Sequence, residues 1–262
     1  MFKPNGWVTL TTDFGLRDSY VGEMKGVMLS SAPDLRLIDI AHDLPPQQVN
    51  HASRVLASAV PRFPTGTVHL AVIDPGVGTD RAPVALLSGG HLFIAPDNGL
   101  LSAVVSRLGG VEACHRIEGH AHLPTHRSAT FHGRDVFAPT AAALASGLLQ
   151  LADAGPPWGP DLTAAAEAQP DGADGWVGQV VTVDHFGNAV SNVRGDLLDG
   201  NGYTVEVDGA ILPLSTTYGD VSDGELVALI GSDGWVEVGQ RNGSAVERLG
   251  LSIGGRIRVR PA

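Results

Sequence analysis

Short β-branched runs and apolar stripes of helical period alternate through the first 150 residues. Trp7–Thr11 (WVTLT) predicts a strand that stops at Thr12-Asp13-Phe14-Gly15. Val21, Met24, Val27 and Met28 then recur at helical spacing behind an N-cap at Asp18 or Ser19, and Pro33 ends that helix. Leu35–Ile40 is the next strand. Val49, Ala52, Leu56, Ala59 and Val60 form the face of a second helix, and Val68–Ile73 forms a third strand. Beyond it come a hairpin-like pair, Val84–Ser88 and Leu92–Ala95, around Gly89-Gly90, and a helix with Leu100, Leu101, Val104, Val105 and Leu108 as its stripe. A strand at Val111–Ile117 and an Ala-rich helix ending near Leu149 complete the series. Strands alternating with helices predict an α/β fold, a mostly parallel sheet with helices on its faces.

Past residue 150 the pattern changes. Residues 151–176 carry GPPWGP and AAAEAQPDGADG, with acids but no Lys or Arg, and read as a linker with some order around Trp158. From residue 177 the apolar period is two: Val177–Val183, Ala189–Val193, Tyr203–Val207, Ile211–Leu214, Leu226–Ile230, Trp235–Val238 and Arg256–Arg260. Asp208-Gly209 and Asp233-Gly234 are hairpin signals. The expected organisation is an α/β domain over 1–150, a linker over 151–176 and an all-β, barrel-like domain over 177–262.

Composition narrows the partners. The net charge is −11 and there is no Lys/Arg cluster, which argues against nucleic acid and anionic membrane as partners. One Cys, Cys114, forms no internal disulfide, and no apolar run reaches membrane-spanning length. The default location is the cytoplasm.

The candidate chemistry gathers at strand ends. The stretch VIDPGVGTDR places Asp74 where a strand stops, and Arg81 returns seven residues later. In an α/β sheet the edge beyond the carboxyl ends of the strands is where ligands bind, so Asp13 and Asp74 are expected to meet there. Asp97, in PDNG, is read as a turn residue. In the run His132-Gly133-Arg134-Asp135, Arg134 and Asp135 read as structural and His132 as the candidate for chemistry. His115, His120, His122 and His126 match no established metal spacing, and no metal site is expected. In the β domain, Asp184-His185-Phe186-Gly187-Asn188 interrupts a strand pair, and Arg241–Ala245 is a turn whose backbone can read the edge of a base.

The segments TDFGLRDSYVGEMKG, IDPGVGTDR, APDNGLL, FHGRD, DHFGNAVSN and QRNGSAVERLGL, in this order along nearly the whole chain, resemble the S-adenosylmethionine hydroxide adenosyltransferases. That family hydrolyses S-adenosylmethionine to adenosine and L-methionine without a cofactor, and is related to the fluorinase and chlorinase. The resemblance implies a homotrimer, each site lying between the N-terminal domain of one subunit and the C-terminal domain of its neighbour. It implies that Asp13 holds the ribose hydroxyls, and that Asp18, Ser19 and Asp184 hold the methionine end. Phe186 and Asn188 serve the purine, with Asn242, Ser244 and Ala245 completing that side. Asp74, Arg81 and His132 match the set around the attacking water. An Asp–His pair can accept or relay the proton of water and an Arg can stabilise hydroxide, and such acid–base groups contribute ~10²–10⁴-fold. QRNGSA departs from the family pattern by one apparent insertion, which leaves the adenine contact there unassigned to a single residue. Three other readings stay open: a halogenase on the same substrate, a metal-dependent phosphoesterase using Asp13, Asp74, Asp97 and His132, and a non-catalytic sensor of S-adenosylmethionine or adenosine.

Overall fold

The computed structural model describes residues 2–163, 167–199 and 202–262. The chain forms two compact units, Met1–Ala165 and Ala166–Ala262. Among the described residues no helix is long and apolar enough to cross a membrane.

The first unit runs β1 (Trp7–Thr12), α1 (Tyr20–Ser31), β2 (Arg36–Ala41), α2 (Val49–Ala59), β3 (Val68–Val72), β4 (Pro83–Ser88), β5 (His91–Pro96), α3 (Ser102–Arg107), β6 (Ala113–Arg116) and α4 (Ala138–Ala145). The sheet order is β2-β1-β3-β5-β4-β6. β2, β1, β3 and β5 are parallel, while β4 runs antiparallel to both of its neighbours. Strands covered on both faces read as continuous apolar runs, and β3 and β5 are buried at every position. One core lies between the sheet and α1 and α4, around Leu10, Met24, Met28, Leu70 and Phe137. The other lies against α2 and α3, around Leu56, Ile73, Phe93 and Leu100.

Two elements differ from the expectation. The helix expected to reach Leu149 ends at Ala145, and Gly147 follows at φ +76°. It is preceded by one wide turn, Gly133–Phe137, with the bond spacing of a π-helix, and such turns occur mostly at functional sites. Within residues 151–163, Trp158 Nε1 and the Asp161 N–H both donate to Asp97, each at 2.8 Å. Asp97 therefore anchors this stretch, in keeping with a structural role.

The second unit contains β7 (Gln169–Pro170), β8 (Trp176–Val183), β9 (Ala189–Arg194), β10 (Tyr203–Val207), β11 (Ala210–Ser215), β12 (Leu226–Ile230), β13 (Trp235–Gln240), α5 (Ala245–Leu249) and β14 (Arg256–Pro261). Strands β14-β10-β11-β12-β13-β9-β8 pair in that order, and a β14–β8 ladder closes them into a seven-stranded barrel. Closure removes the open edges of the sheet. Asp208-Gly209 is the two-residue turn between β10 and β11, both residues at positive φ, as their types foretell. Inward side chains of Val180, Val193, Val205, Val236, Val238 and Ile257 fill the interior.

Candidate active site

β1 and β3 are adjacent and parallel, with Thr12 opposite Val72, so Asp13 and Asp74 leave the sheet at the same edge. Asn98 donates through Nδ2 to the Ile73 carbonyl at 2.9 Å and fixes the end of β3 just before Asp74. Three bonds then fold the DPGVG loop back on itself. Val77 N–H donates to the Asp74 carbonyl, and both the N–H and the hydroxyl of Thr79 donate to the Gly76 carbonyl. A Cβ at Gly76 would stand 3.1 Å from Arg81 Cγ, so the absence of a side chain there lets the arginine stem pass.

Arg81 returns to grip Asp74 with two parallel bonds. Nε donates to Oδ1 at 2.8 Å, and Nη2 donates to Oδ2. Nη2 also donates to His132 Nδ1 at 2.8 Å, across 51 residues of sequence. The Asp74 and Arg81 side chains are 5% and 8% exposed, and the guanidinium lies 5.2 Å over the Phe137 ring. Arg81 Nη1 is buried and has no hydrogen-bond partner among the described residues. It remains as a donor for something that binds there.

An arginine cannot accept, so His132 Nδ1 must, and the neutral imidazole then carries its proton on Nε2. Burial lowers the His132 pKa, the Arg81 charge lowers it further, and Asp74 only partly opposes them. The imidazole is therefore neutral near pH 7. Arg81 stands between Asp74 and His132, so the Asp–His pair expected from sequence is an Asp–Arg–His chain. A cavity of about 480 Å³ borders His132, lined also by Pro83, Arg116, Arg127 and Val136.

Asp13 Oδ2 accepts from the Gln47 N–H at 2.7 Å, and Gln47 takes φ +64° to deliver it. Behind Asp13, Thr12 Oγ1 bonds buried His42 Nδ1 at 2.8 Å, and the Gly15 N–H donates to the His42 carbonyl. Asp18 and Ser19 are exposed at the start of α1; Ser19 is the N-cap position, and its hydroxyl donates to Glu23 rather than capping. Arg134 pairs with Asp135 and Glu23, and Asp135 also accepts from Ser128 N–H, which are structural bonds. His115 bonds the Gly155 carbonyl and His120 bonds Thr140, so these two histidines are engaged separately.

In the barrel, Asp184 organises its own loop. Oδ1 accepts from the N–H groups of Phe186 and Asn188, and Oδ2 accepts from Asn188 Nδ2 at 2.8 Å. Phe186 is 73% exposed, which for a phenylalanine leaves a stacking face uncovered. The Val246 N–H donates to the Gly187 carbonyl at 3.1 Å, which joins this loop to Asn242–Ala245. There Ser244 Oγ caps α5 by accepting from the Glu247 N–H, Ala245 is fully buried, and Asn242 sits at φ +55° bonded to Asp223. Ser244 and Ala245 side chains are thus occupied, and what this turn offers a ligand is backbone.

Sequence reasoning passed over His42, Gln47 and Tyr218, each of which touches a candidate residue or its loop, and Glu237, which bonds Tyr218. None has a motif or spacing that marks it.

Comparison with known proteins covers almost the whole chain. Residues 8–155 match the model of the SAM hydroxide adenosyltransferase N-terminal domain, and residues 178–258 match that of its C-terminal domain. An (R)-S-adenosyl-L-methionine hydrolase of Salinispora tropica is 43% identical over 98% of each chain. A hydrolase of the same name from Thermus thermophilus is 42% identical over 96% of this chain and 98% of its own. A fluorinase of Nocardia brasiliensis is more distant, at 29% identity over 97% and 96% of the two chains. The crystal structure of an uncharacterised conserved protein from Thermotoga maritima superposes with a TM-score of 0.89 at 34% identity, covering 96% of this chain and 99% of that one.

Proposed function

The chain belongs to the SAM hydroxide adenosyltransferase family, and from that premise we propose that it hydrolyses S-adenosyl-L-methionine to adenosine and L-methionine. The observation that carries this reading is the Asp74–Arg81–His132 chain, three polar side chains from two segments 51 residues apart joined by hydrogen bonds at a sheet edge.

In this reaction a water oxygen attacks the ribose 5′ carbon in line with the C–S bond. The C5′–O bond forms, the C5′–S bond breaks with its electron pair going to sulfur, and one proton leaves the water. The sulfonium departs as a neutral thioether, so no acid is needed to expel it and no cofactor enters. What is needed is a nucleophile. Asp74 has carboxylate lone pairs beyond the two that Arg81 uses, whereas the basic nitrogen of His132 is already bonded to Arg81. We therefore assign proton acceptance to Asp74, stabilisation of hydroxide character to Arg81 Nη1, and orientation of the oxygen to His132 Nε2–H. Preorganised donors of this kind act most strongly where water is excluded.

Asp13 is assigned to the ribose hydroxyls, and Asp18, Ser19 and Asp184 to the amino-acid end. Phe186, Asn188 and the backbone of Asn242–Ala245 are assigned to adenine. Holding both ends of the substrate fixes the 5′ carbon for attack, an orientation effect. A homotrimer and a cytoplasmic location belong to the same reading. A halogenase is disfavoured by the Asp74 carboxylate, which would repel a halide at the position of attack. Chromatography of S-adenosylmethionine incubated with the protein tests the proposal. Equal amounts of adenosine and methionine are expected; unconverted substrate would leave only a sensor.

A further inference from the structure

Asn188 is 5% exposed, and all its amide donors are committed. Asp184 Oδ2 is an acceptor without a proton to give, so the atom 2.8 Å from it must be Nδ2. The second hydrogen of Nδ2 goes to Tyr218 Oη at 3.1 Å. Tyr218 in turn donates its hydroxyl proton to Glu237 Oε1. Burial and the neighbouring Glu237 and Asp184 raise the Tyr218 pKa, so the phenol keeps its proton and the relay runs one way. Asn188 therefore presents Oδ1 alone, as an acceptor.

The wall beside that oxygen is equally defined. A Cβ at Gly239 would lie 2.7 Å from Asn188 Oδ1 and 2.8 Å from Tyr218 Cε1. Both distances are closer than real Cβ atoms come to their neighbours. At the far end, a Cβ at Gly231 would lie 2.2 Å from Glu237 Oε2, so backbone without side chains closes the relay on both sides.

We propose that Tyr218, Glu237 and Gly239 are positioning residues for base selectivity. They hold Asn188 with Oδ1 forward, so that the site favours a purine with a donor at position 6, the amino group of adenine. The proposal rests on the reading of Asn188 as an adenine contact. A 6-oxo purine would bring an acceptor against Oδ1, and an unsubstituted purine would bring nothing.

The test compares the binding of adenosine and of purine riboside, which lacks the 6-amino group, by calorimetry on the intact protein. One hydrogen bond contributes on the order of tenfold in affinity, so adenosine is expected to bind about tenfold tighter. Tyr218→Phe keeps the ring and removes the relay; it should cut the adenosine advantage to below threefold and leave purine riboside unchanged. Gly239→Ala should do the same by displacing Oδ1. Glu237→Gln, whose amide oxygen still accepts from Tyr218, should retain the advantage, and Glu237→Leu should lose it. A merely structural role would weaken both nucleosides together, and that outcome overturns the proposal. So does an unchanged advantage in Tyr218→Phe when Asn188→Ala abolishes it, a result that leaves the adenine reading intact. If Asn188→Ala binds adenosine as the wild type does, the adenine reading itself fails and the proposal falls with it.

Discussion

Replacing Arg81 with Lys keeps a positive charge beside Asp74 and removes the fork. Arg81 makes three charge-assisted contacts, two to Asp74 and one to His132 Nδ1, and holds Nη1 free for an incoming oxygen. An ammonium is a single point of charge and can keep one of the Asp74 contacts, but it cannot span both carboxylate oxygens and the imidazole. Two charge-assisted bonds are lost, each contributing about 1.5–3 kcal/mol. If most of that loss falls on the transition state, kcat drops about 10²–10⁴-fold, at about 1.4 kcal/mol per factor of ten. Asp13 and the barrel residues proposed to bind the substrate are untouched, so KM should stay within about threefold. Stability should fall less than when the charge itself is removed, because Asp74 still has a counter-ion. Arg81→Met is the contrast: it strands a carboxylate that is 5% exposed and should cost about 3–5 kcal/mol of folding free energy. Steady-state product formation and urea unfolding of the two variants separate catalysis from stability. An Arg81→Lys enzyme with kcat within a few-fold of wild type would refute the central place given to the guanidinium.

Three further outcomes are expected. Asp74 and His132 are joined through Arg81 and are proposed to serve the same water, so the Asp74→Ala/His132→Ala double variant should lose far less rate than the product of the single losses; full multiplicativity would show independent roles. Burial lowers His69 from 6.5 to about 3 and His120 to about 4, with His91 also lowered, so the unfolded chain binds more protons below pH 6.5. Stability should be full above pH 6.5 and fall by up to about 1.4 kcal/mol per pH unit for each such histidine, and His69→Gln should flatten the slope of the urea midpoint between pH 6.5 and 5. The proposed homotrimer should give about three chain masses by light scattering, and a fully active monomer would contradict it.

The convergence of Asp13 and Asp74 was legible because two parallel strands ending in Asp must deliver them to one edge, whatever the loops do. The barrel was legible from its period of two and its Asp-Gly turns. What the sequence hides is the order of contact. Arg81 and His132 are 51 residues apart, and nothing in either segment says that the guanidinium stands between the two other groups. Order around Trp158 is legible within the linker, but its partner is not: the indole N–H bonds Asp97. The Ser244 side chain caps α5, a bond that a Ser three residues before Glu247 can make, and this leaves the backbone of the turn, the part the resemblance implicates, to meet a ligand. Tyr218 and Glu237 are ordinary residues on neighbouring segments, and only the closed barrel makes their meeting with Asn188 visible.

Turnover in ¹⁸O-labelled water with chloride present, followed by mass analysis of the nucleoside, tests the hydrolytic reading most directly. Attack of water on the 5′ carbon predicts adenosine carrying the label at the 5′ oxygen, and no label in methionine. A 5′-chloro nucleoside, or adenosine without label, would contradict it.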